Sequence, residues 1–227
     1  MKTNTLVLCS GGPDAVVAAA ILKNQGFKIS FLHYDYGQIS SKKELQAVKD
    51  CAKAMGVNWM LANIQSAFES IPSALLQLGQ QFYMEAMEAA ELKGRSAFVP
   101  ARNLILISIA AGIAESGGFS HIAIGNIADG AYPDNQPAFI RTMDLMLHYS
   151  LCSIVRAIAP VNHLTKKEVI EIGLELDVPL HLTWSCYLNG DLHCGQCASC
   201  LGRRRAYIAL QQEDPTRYAQ ALPSSLP

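Results

Sequence analysis

The stretch Thr5-Leu6-Val7-Leu8-Cys9-Ser10-Gly11-Gly12-Pro13-Asp14-Ala15, continued by Val16 to Leu22, decides the fold. A short apolar run from Thr5 to Cys9 ends in Ser-Gly-Gly, and strong helix formers follow from Ala15, so the segment spells strand, tight loop, helix. Pro13 suits a first helical turn, because its missing N–H needs no intrahelical partner and its φ is already helical. At the C-terminal edge of a parallel sheet such a loop gathers backbone N–H groups and the positive end of a helix into an anion cradle. Neither a Gly-Lys-Ser/Thr phosphate loop nor three spaced dinucleotide glycines is present. Spacing alone leaves a plain βα turn open, since that also needs glycine.

Outward from this unit, Lys28 to Tyr34 reads as a second strand, Lys42 to Met55 as an amphipathic helix closed by Gly56, and Asn58 to Ala62 as a third strand. Such alternation implies right-handed βαβ crossovers, hence an α/β fold on a parallel sheet. From 65 to 98 the pattern blurs into Ser, Pro, Gly and Gln, which predicts an inserted lid region with a helix near Tyr83 to Leu92. Pro100 is placed as the first residue of an apolar helix reaching Glu115, and His121 to Gly125 as a strand. Pro137 starts a further helix to about Leu151, Ile154 to Ala159 forms a last strand, and Thr165 caps a helix beginning at Lys166. A helix from Arg203 to Gln212 closes the described pattern. The expected organisation is an α/β domain over 1–180 and a cysteine segment with its helix over 181–227.

With 227 residues and 50% hydrophobic content the chain can bury a substantial core. Lys+Arg 18 against Asp+Glu 19 leaves a net charge of -1, which argues against DNA, RNA or an anionic membrane surface as a partner. Only 16% of residues are charged, so some apolar surface seeks cover and a homodimer is expected. The first apolar run is too short for a signal peptide and no apolar stretch is long enough for a membrane span, so a cytoplasmic location is expected.

Cys186, Cys194, Cys197 and Cys200 are separated by seven, two and two residues, with Gly190 and Gly195 between them. Four thiolates so close suit tetrahedral Zn²⁺ in a closed structural site. An iron–sulfur cluster is the competing use of CxxCxxC, although no Cys-Pro follows. Arg203, Arg204 and Arg205 either compensate the thiolate charge or form a solvated helix face. Cys9, Cys51 and Cys152 read as small core residues.

Taken together, the chain resembles the QueC family of 7-cyano-7-deazaguanine synthases. The resemblance is carried by the Ser10-Gly11-Gly12-Pro13-Asp14 loop, Asp35-Tyr36-Gly37-Gln38, Val99-Pro100-Ala101-Arg102-Asn103, Tyr132-Pro133-Asp134, His163-Leu164-Thr165-Lys166 and Thr183-Trp184-Ser185-Cys186-Tyr187 through His193 to Cys200. It implies an ATP-pyrophosphatase domain, adenine nucleotide alpha hydrolase-like and Rossmann-like, with a small four-cysteine zinc segment. It also implies ATP on Leu8, Cys9, Ser10, Gly11, Gly12, Pro13, Asp14 and Ala15, and Mg²⁺ helped by Asp14. Asp14, Lys166 and Arg102 are the implied catalytic residues. Tyr36, Gln38, Arg102, Asn103, Tyr132 and Asp134 are the implied contacts to a deazaguanine substrate, while Asp129 before Gly130 reads better as a turn residue. A lysine opening a helix opposes the helix dipole, and that misfit favours a functional Lys166.

The implied reaction adenylates the carboxylate of 7-carboxy-7-deazaguanine, and ammonia then gives the amide and afterwards the nitrile. The sequence departs from the family pattern at Ala15, at Gln38-Ile39-Ser40-Ser41 and at Asn135-Gln136. Those departures keep two alternatives open: a QueC-like amide ligase joining the carboxylate to a protein N-terminus in antiphage defence, and a non-enzymatic nucleotide-binding module.

Overall fold

The computed structural model of the protein describes residues 3–71, 73, 75–76, 97–130 and 132–221. The opening stretch folds as read: β1 (Asn4–Leu8) enters the glycine loop and α1 (Pro13–Asn24) leaves it, with Pro13 in the first turn. There follow β2 (Lys28–Asp35), α2 (Ser41–Met55), β3 (Asn58–Asn63), α3 (Arg102–Gly117) and β4 (His121–Ile124). The remaining elements are α4 (Pro137–Ser150), β5 (Arg156–Ile158), α5 (Lys166–Glu175) and α6 (Ala198–Ala209).

The sheet order is β3-β2-β1-β4-β5 and every pairing is parallel. The chain leaves β1 toward one edge through β2 and β3, then returns to the other side of β1 with β4. The direction of winding therefore reverses between β1 and β4, and the crevice beyond their carboxyl ends is where open α/β sheets bind ligands. Alternation along β1 sends Leu6 and Leu8 into a core with α3 and α4, and Val7 into a core with α1, α2, α5 and α6. Both faces are thus covered, as a parallel sheet requires.

Three boundaries differ from the sequence reading. The helix expected from Pro100 begins at Arg102, because Arg102 N–H donates to the Val99 carbonyl at 3.2 Å and Ala101 takes φ 55. Pro100 therefore occupies the second position of a tight turn whose third residue has positive φ. The last helix starts at Ala198, where Cys197 Sγ accepts from the Cys200 N–H at 3.4 Å and serves as its cap. The strand predicted from Ile154 is confined to Arg156–Ile158. The helix expected near Tyr83 to Leu92 lies outside the described residues. Thr165 caps α5 as expected, and the structure adds a reciprocal bond with Glu168 that makes it a capping box.

Candidate active site

The crevice at the reversal point is a cavity of about 960 Å³. Its floor is the glycine loop. Gly11 takes φ 78, and a Cβ there would stand 2.7 Å from Ala47 Cβ and 2.9 Å from the Glu44 carbonyl, so only glycine lets the loop press against α2. Gly125 at the end of β4 comes equally close to α1, since a Cβ would meet Ala15 N at 2.6 Å. Leu8, Cys9, Ser10, Gly12, Pro13, Asp14 and Ala15 line the cavity, whereas Gly11 faces α2. Burial pushes the Cys9 thiol up to about 12, so it stays neutral and accepts from the Gly11 N–H at 3.4 Å.

Lys166 enters from the first turn of α5. Its Nζ donates to both Asp14 oxygens, at 2.6 and 2.5 Å, while its backbone N–H donates to Asp129 Oδ2 at 2.8 Å. The misplaced cation is thus paired across the glycine loop, and Asp129 ties its own loop to the start of α5. Both side chains of the Lys166–Asp14 pair remain partly exposed to the cavity.

Arg102 opens α3 with its guanidinium hydrogen-bonded to Tyr36 and close to Tyr187 and Asp134. Burial opposes its charge, but the Tyr36, Tyr187 and Asp134 partners outweigh it and hold Arg102 protonated. Burial also raises the Tyr36, Tyr132 and Tyr187 phenols, so these rings present neutral hydroxyls around one fixed cation. Tyr36 packs on Phe68 at 5.1 Å and Tyr132 on Phe98 at 5.3 Å.

The remaining predicted contacts divide. Gln38 is buried, its Nε2 donating to the Tyr34 carbonyl and Glu44 Oε2 and its Oε1 accepting from the Tyr36 N–H, all at 2.9 Å, so it pins the turn after β2. Ser40 adds a 2.6 Å bond to the same Glu44 carboxylate. Asn103 donates from its backbone to Asp134 Oδ2 at 3.0 Å and from its amide to Asn135 Oδ1 at 2.8 Å. Asp134 thereby caps α3 and lies behind the cavity wall, which Asn135 lines instead. Of the departing positions, Ala15, Ser40 and Asn135 line the cavity.

The sequence reading left out one wall altogether. Trp184, Tyr187 and Arg205 bring the cysteine segment to the cavity, and Trp184 N–H donates to the Gly11 carbonyl at 2.9 Å. The TWSCY stretch carried the family likeness without showing that it returns to the glycine loop. His193 stacks on Trp184 at 4.1 Å and accepts from the Ser185 N–H through Nε2 at 3.0 Å. Burial, then the Arg203 charge, pushes His193 down to about 4, in keeping with a neutral acceptor.

The sulfurs of Cys186, Cys194, Cys197 and Cys200 all lie within 4.8 Å of one another. Cys194 and Cys200 are 3.9 Å apart, close to the edge of about 3.8 Å that a tetrahedron with Zn–S bonds of 2.3 Å requires. That separation is far too long for a disulfide. Backbone N–H groups of Leu188, Cys194, Gln196, Cys197 and Cys200 point at sulfurs of the set at 3.3–3.4 Å, an environment suited to thiolates. The donor set and its spacing therefore fit a closed zinc site.

Arg203 is neither a counter-ion to this site nor solvated. It is fully buried and binds Thr183 Oγ1 at 2.6 Å, the Leu180 carbonyl at 2.9 Å and Asp214 Oδ1 at 3.2 Å. Cys152, expected in the core, is exposed beyond α4, where its N–H is held by Glu115 Oε1 at 2.6 Å.

The family description that matches residues 4–211 is queuosine biosynthesis protein QueC. The chain belongs to the QueC family. A 7-cyano-7-deazaguanine synthase from Methanothrix thermoacetophila is 37% identical over 219 residues, covering 93% of this chain and 96% of the relative. One from Brucella ovis is 34% identical over 222 residues, covering 96% and 94%. The relative from Sulfolobus acidocaldarius is 36% identical over 225 residues, but this chain spans only 48% of its length. Among solved structures, an NMN synthetase from Francisella tularensis matches with a TM-score of 0.50 at 17% identity over 93% of this chain and 78% of that one, a likeness of fold. As a QueC-family chain it is an ATP-dependent enzyme on a parallel-sheet scaffold, and no helix among the described residues is long and apolar enough to cross a membrane.

Proposed function

We propose that the protein is an ATP-dependent carbon–nitrogen ligase acting on 7-carboxy-7-deazaguanine, as its curated relatives' names suggest. The substrate carboxylate attacks the α-phosphorus of ATP, pyrophosphate leaves, and ammonia displaces AMP to give the amide. A second ATP activates the amide oxygen, and loss of that oxygen with AMP leaves the nitrile. The observation that carries the reading is the Lys166–Asp14 pair on the glycine loop, at the reversal point of the sheet.

Most of the required work is electrostatic, because charge grows on the α-phosphorus and on the departing pyrophosphate. The amides of Ser10 and Gly12 donate to nothing among the described residues and stand ready for phosphate oxygens. Lys166 and Arg102 supply the cations, Arg102 held in place by tyrosines. Asp14 is the residue to hold Mg²⁺, which keeps several ligands from phosphate and water and would neutralise phosphate charge. The four cysteines would hold Zn²⁺ as a structural cross-link, away from the reacting atoms.

The second reading, an amide ligase whose acceptor is a protein N-terminus, is favoured by one observation: Ala15, Ser40 and Asn135 line the cavity where the sequence leaves the family pattern. Mass spectrometry of a reaction with ATP, Mg²⁺, 7-carboxy-7-deazaguanine and ammonium, beside Asp14→Ala, separates the readings. Nitrile, AMP and pyrophosphate are expected. Amide or adenylate that accumulates until another amine is added would replace this reading with the second, and no AMP release would leave a nucleotide-binding module. A homodimer is carried from the low charge content, and light scattering measures it.

A further inference from the structure

We infer that Trp184 is a positioning residue through which the four-cysteine segment aims the phosphate donor of the glycine loop. The inference rests on the reading of that loop as a pyrophosphate cradle. The Gly11 carbonyl accepts from the Trp184 N–H at 2.9 Å. In a trans peptide the carbonyl of one residue and the N–H of the next point in opposite directions. Fixing the Gly11 carbonyl on Trp184 therefore turns the Gly12 N–H the other way, and Gly12 lines the cavity where Gly11 does not. The Gly12 amide has no acceptor among the described residues. Gly11, with its positive φ and no side chain, offers little resistance to rotation of this peptide, so an external hold is needed.

That hold is itself braced by the metal segment. The Trp184 ring lies 4.1 Å from His193, the residue before Cys194, and 5.6 Å from the Lys43 ammonium of α2. Ser185, between Trp184 and Cys186, donates its N–H to His193 Nε2 at 3.0 Å. Thr183, on the other side, is bonded to the buried Arg203 of α6, the helix capped by Cys197. A metal on Cys186, Cys194 and Cys197 would hold both ends of this brace at once. Metal loading and anion binding on the loop are consequently linked, and linkage acts equally in both directions.

The test uses inorganic pyrophosphate with Mg²⁺ as the probe in calorimetric titrations of the full chain. Zinc-loaded protein is compared with zinc-stripped protein, and with zinc-loaded Trp184→Pro and Trp184→Phe. Proline removes the donor N–H, and Thr183 already has the extended backbone, ψ 147, that precedes proline. Phenylalanine keeps the N–H and the stacked ring. Loss of one aimed donor to an anion predicts about tenfold weaker binding in W184P and in the stripped protein, with W184F within about threefold of wild type. Zinc content, read separately, stays at the wild-type value in both variants, and pyrophosphate slows zinc release to a chelator in wild type but not in W184P. Equal affinity in wild type and zinc-loaded W184P, or an equal loss in W184F and W184P, overturns the inference while leaving the cradle standing. Zinc-loaded wild type that binds neither pyrophosphate nor ATP overturns both.

Discussion

Lys166 sits where a helix least tolerates a cation, in the first turn, and there it meets the Asp14 carboxylate across the glycine loop. A residue placed against its local electrostatic preference is held for its position, and this one lines the cavity. Lys166→Met is expected to lower ATP–pyrophosphate exchange by about 10²-fold, the usual cost of deleting one aimed electrostatic group, with little change in melting temperature. Asp14→Asn should behave alike and raise the Mg²⁺ requirement. Exchange within threefold of wild type in either variant would remove the pair from the catalytic machinery. Lys166 was legible as a candidate because the misfit of a lysine at a helix start can be seen without coordinates, whereas its pairing with Asp14 was not. Asp134 was not, because nothing in the chain order shows that the Asn103 N–H of α3 would claim its carboxylate.

Among the elements, β5 has three residues, and a clip from α4 adds to its pairing with β4. Asp144 accepts from Arg156 Nη2 at 2.7 Å and from the Ala157 N–H at 2.9 Å. The Arg156 guanidinium, helped by that N–H and against partial burial, holds Asp144 below the usual carboxylate range. A carboxyl whose folded pKa is depressed adds stability that is complete above its ordinary value, about 4, and is lost as pH falls through the lower folded value. Arg156 is largely exposed, so the contribution is about 1 kcal/mol or less. Asp144→Asn should melt a few degrees below wild type at pH 7, and the gap should close as pH drops below about 4. A gap that persists at pH 2.5 would mean the effect is packing. The strand–loop–helix start and the αL closure of α2 at Gly56 were readable from local chemistry. The start of α3 was not, because Pro100 suits a helix start and the second place of a turn equally well, and only Ala101 in the left-handed region separates them.

At the scale of the whole molecule, the segment after 181 is woven into both cores: Cys186, Cys197 and Cys200 join the layer of α3 and α4, while Ala206 and Tyr207 of α6 join the layer of α1. Sequence spacing disclosed the four thiolates but not the second fastener, since Arg203 in a run of three arginines reads equally well as a counter-charge to the thiolates or as a solvated helix face. Its burial against the partly buried Asp214 means that Arg203→Met leaves a carboxylate without its cation, at a cost of about 3 kcal/mol and a melting temperature lower by about 10 °C. A fall of only a degree or two would show that the segment is held elsewhere. A metal on the four thiolates would be the other fastener, and the donor set favours zinc, because four converging thiolates at tetrahedral spacing suit one zinc while an iron–sulfur cluster would also hold inorganic sulfide and absorb visible light. Elemental analysis of the purified chain is expected to find one zinc per chain in a colourless protein. Cys197→Ser, which removes both a ligand and the cap of α6, should lose the zinc and melt well below wild type. Zinc retained at full occupancy in that variant, or a brown protein containing iron and sulfide, would rule out the closed zinc site.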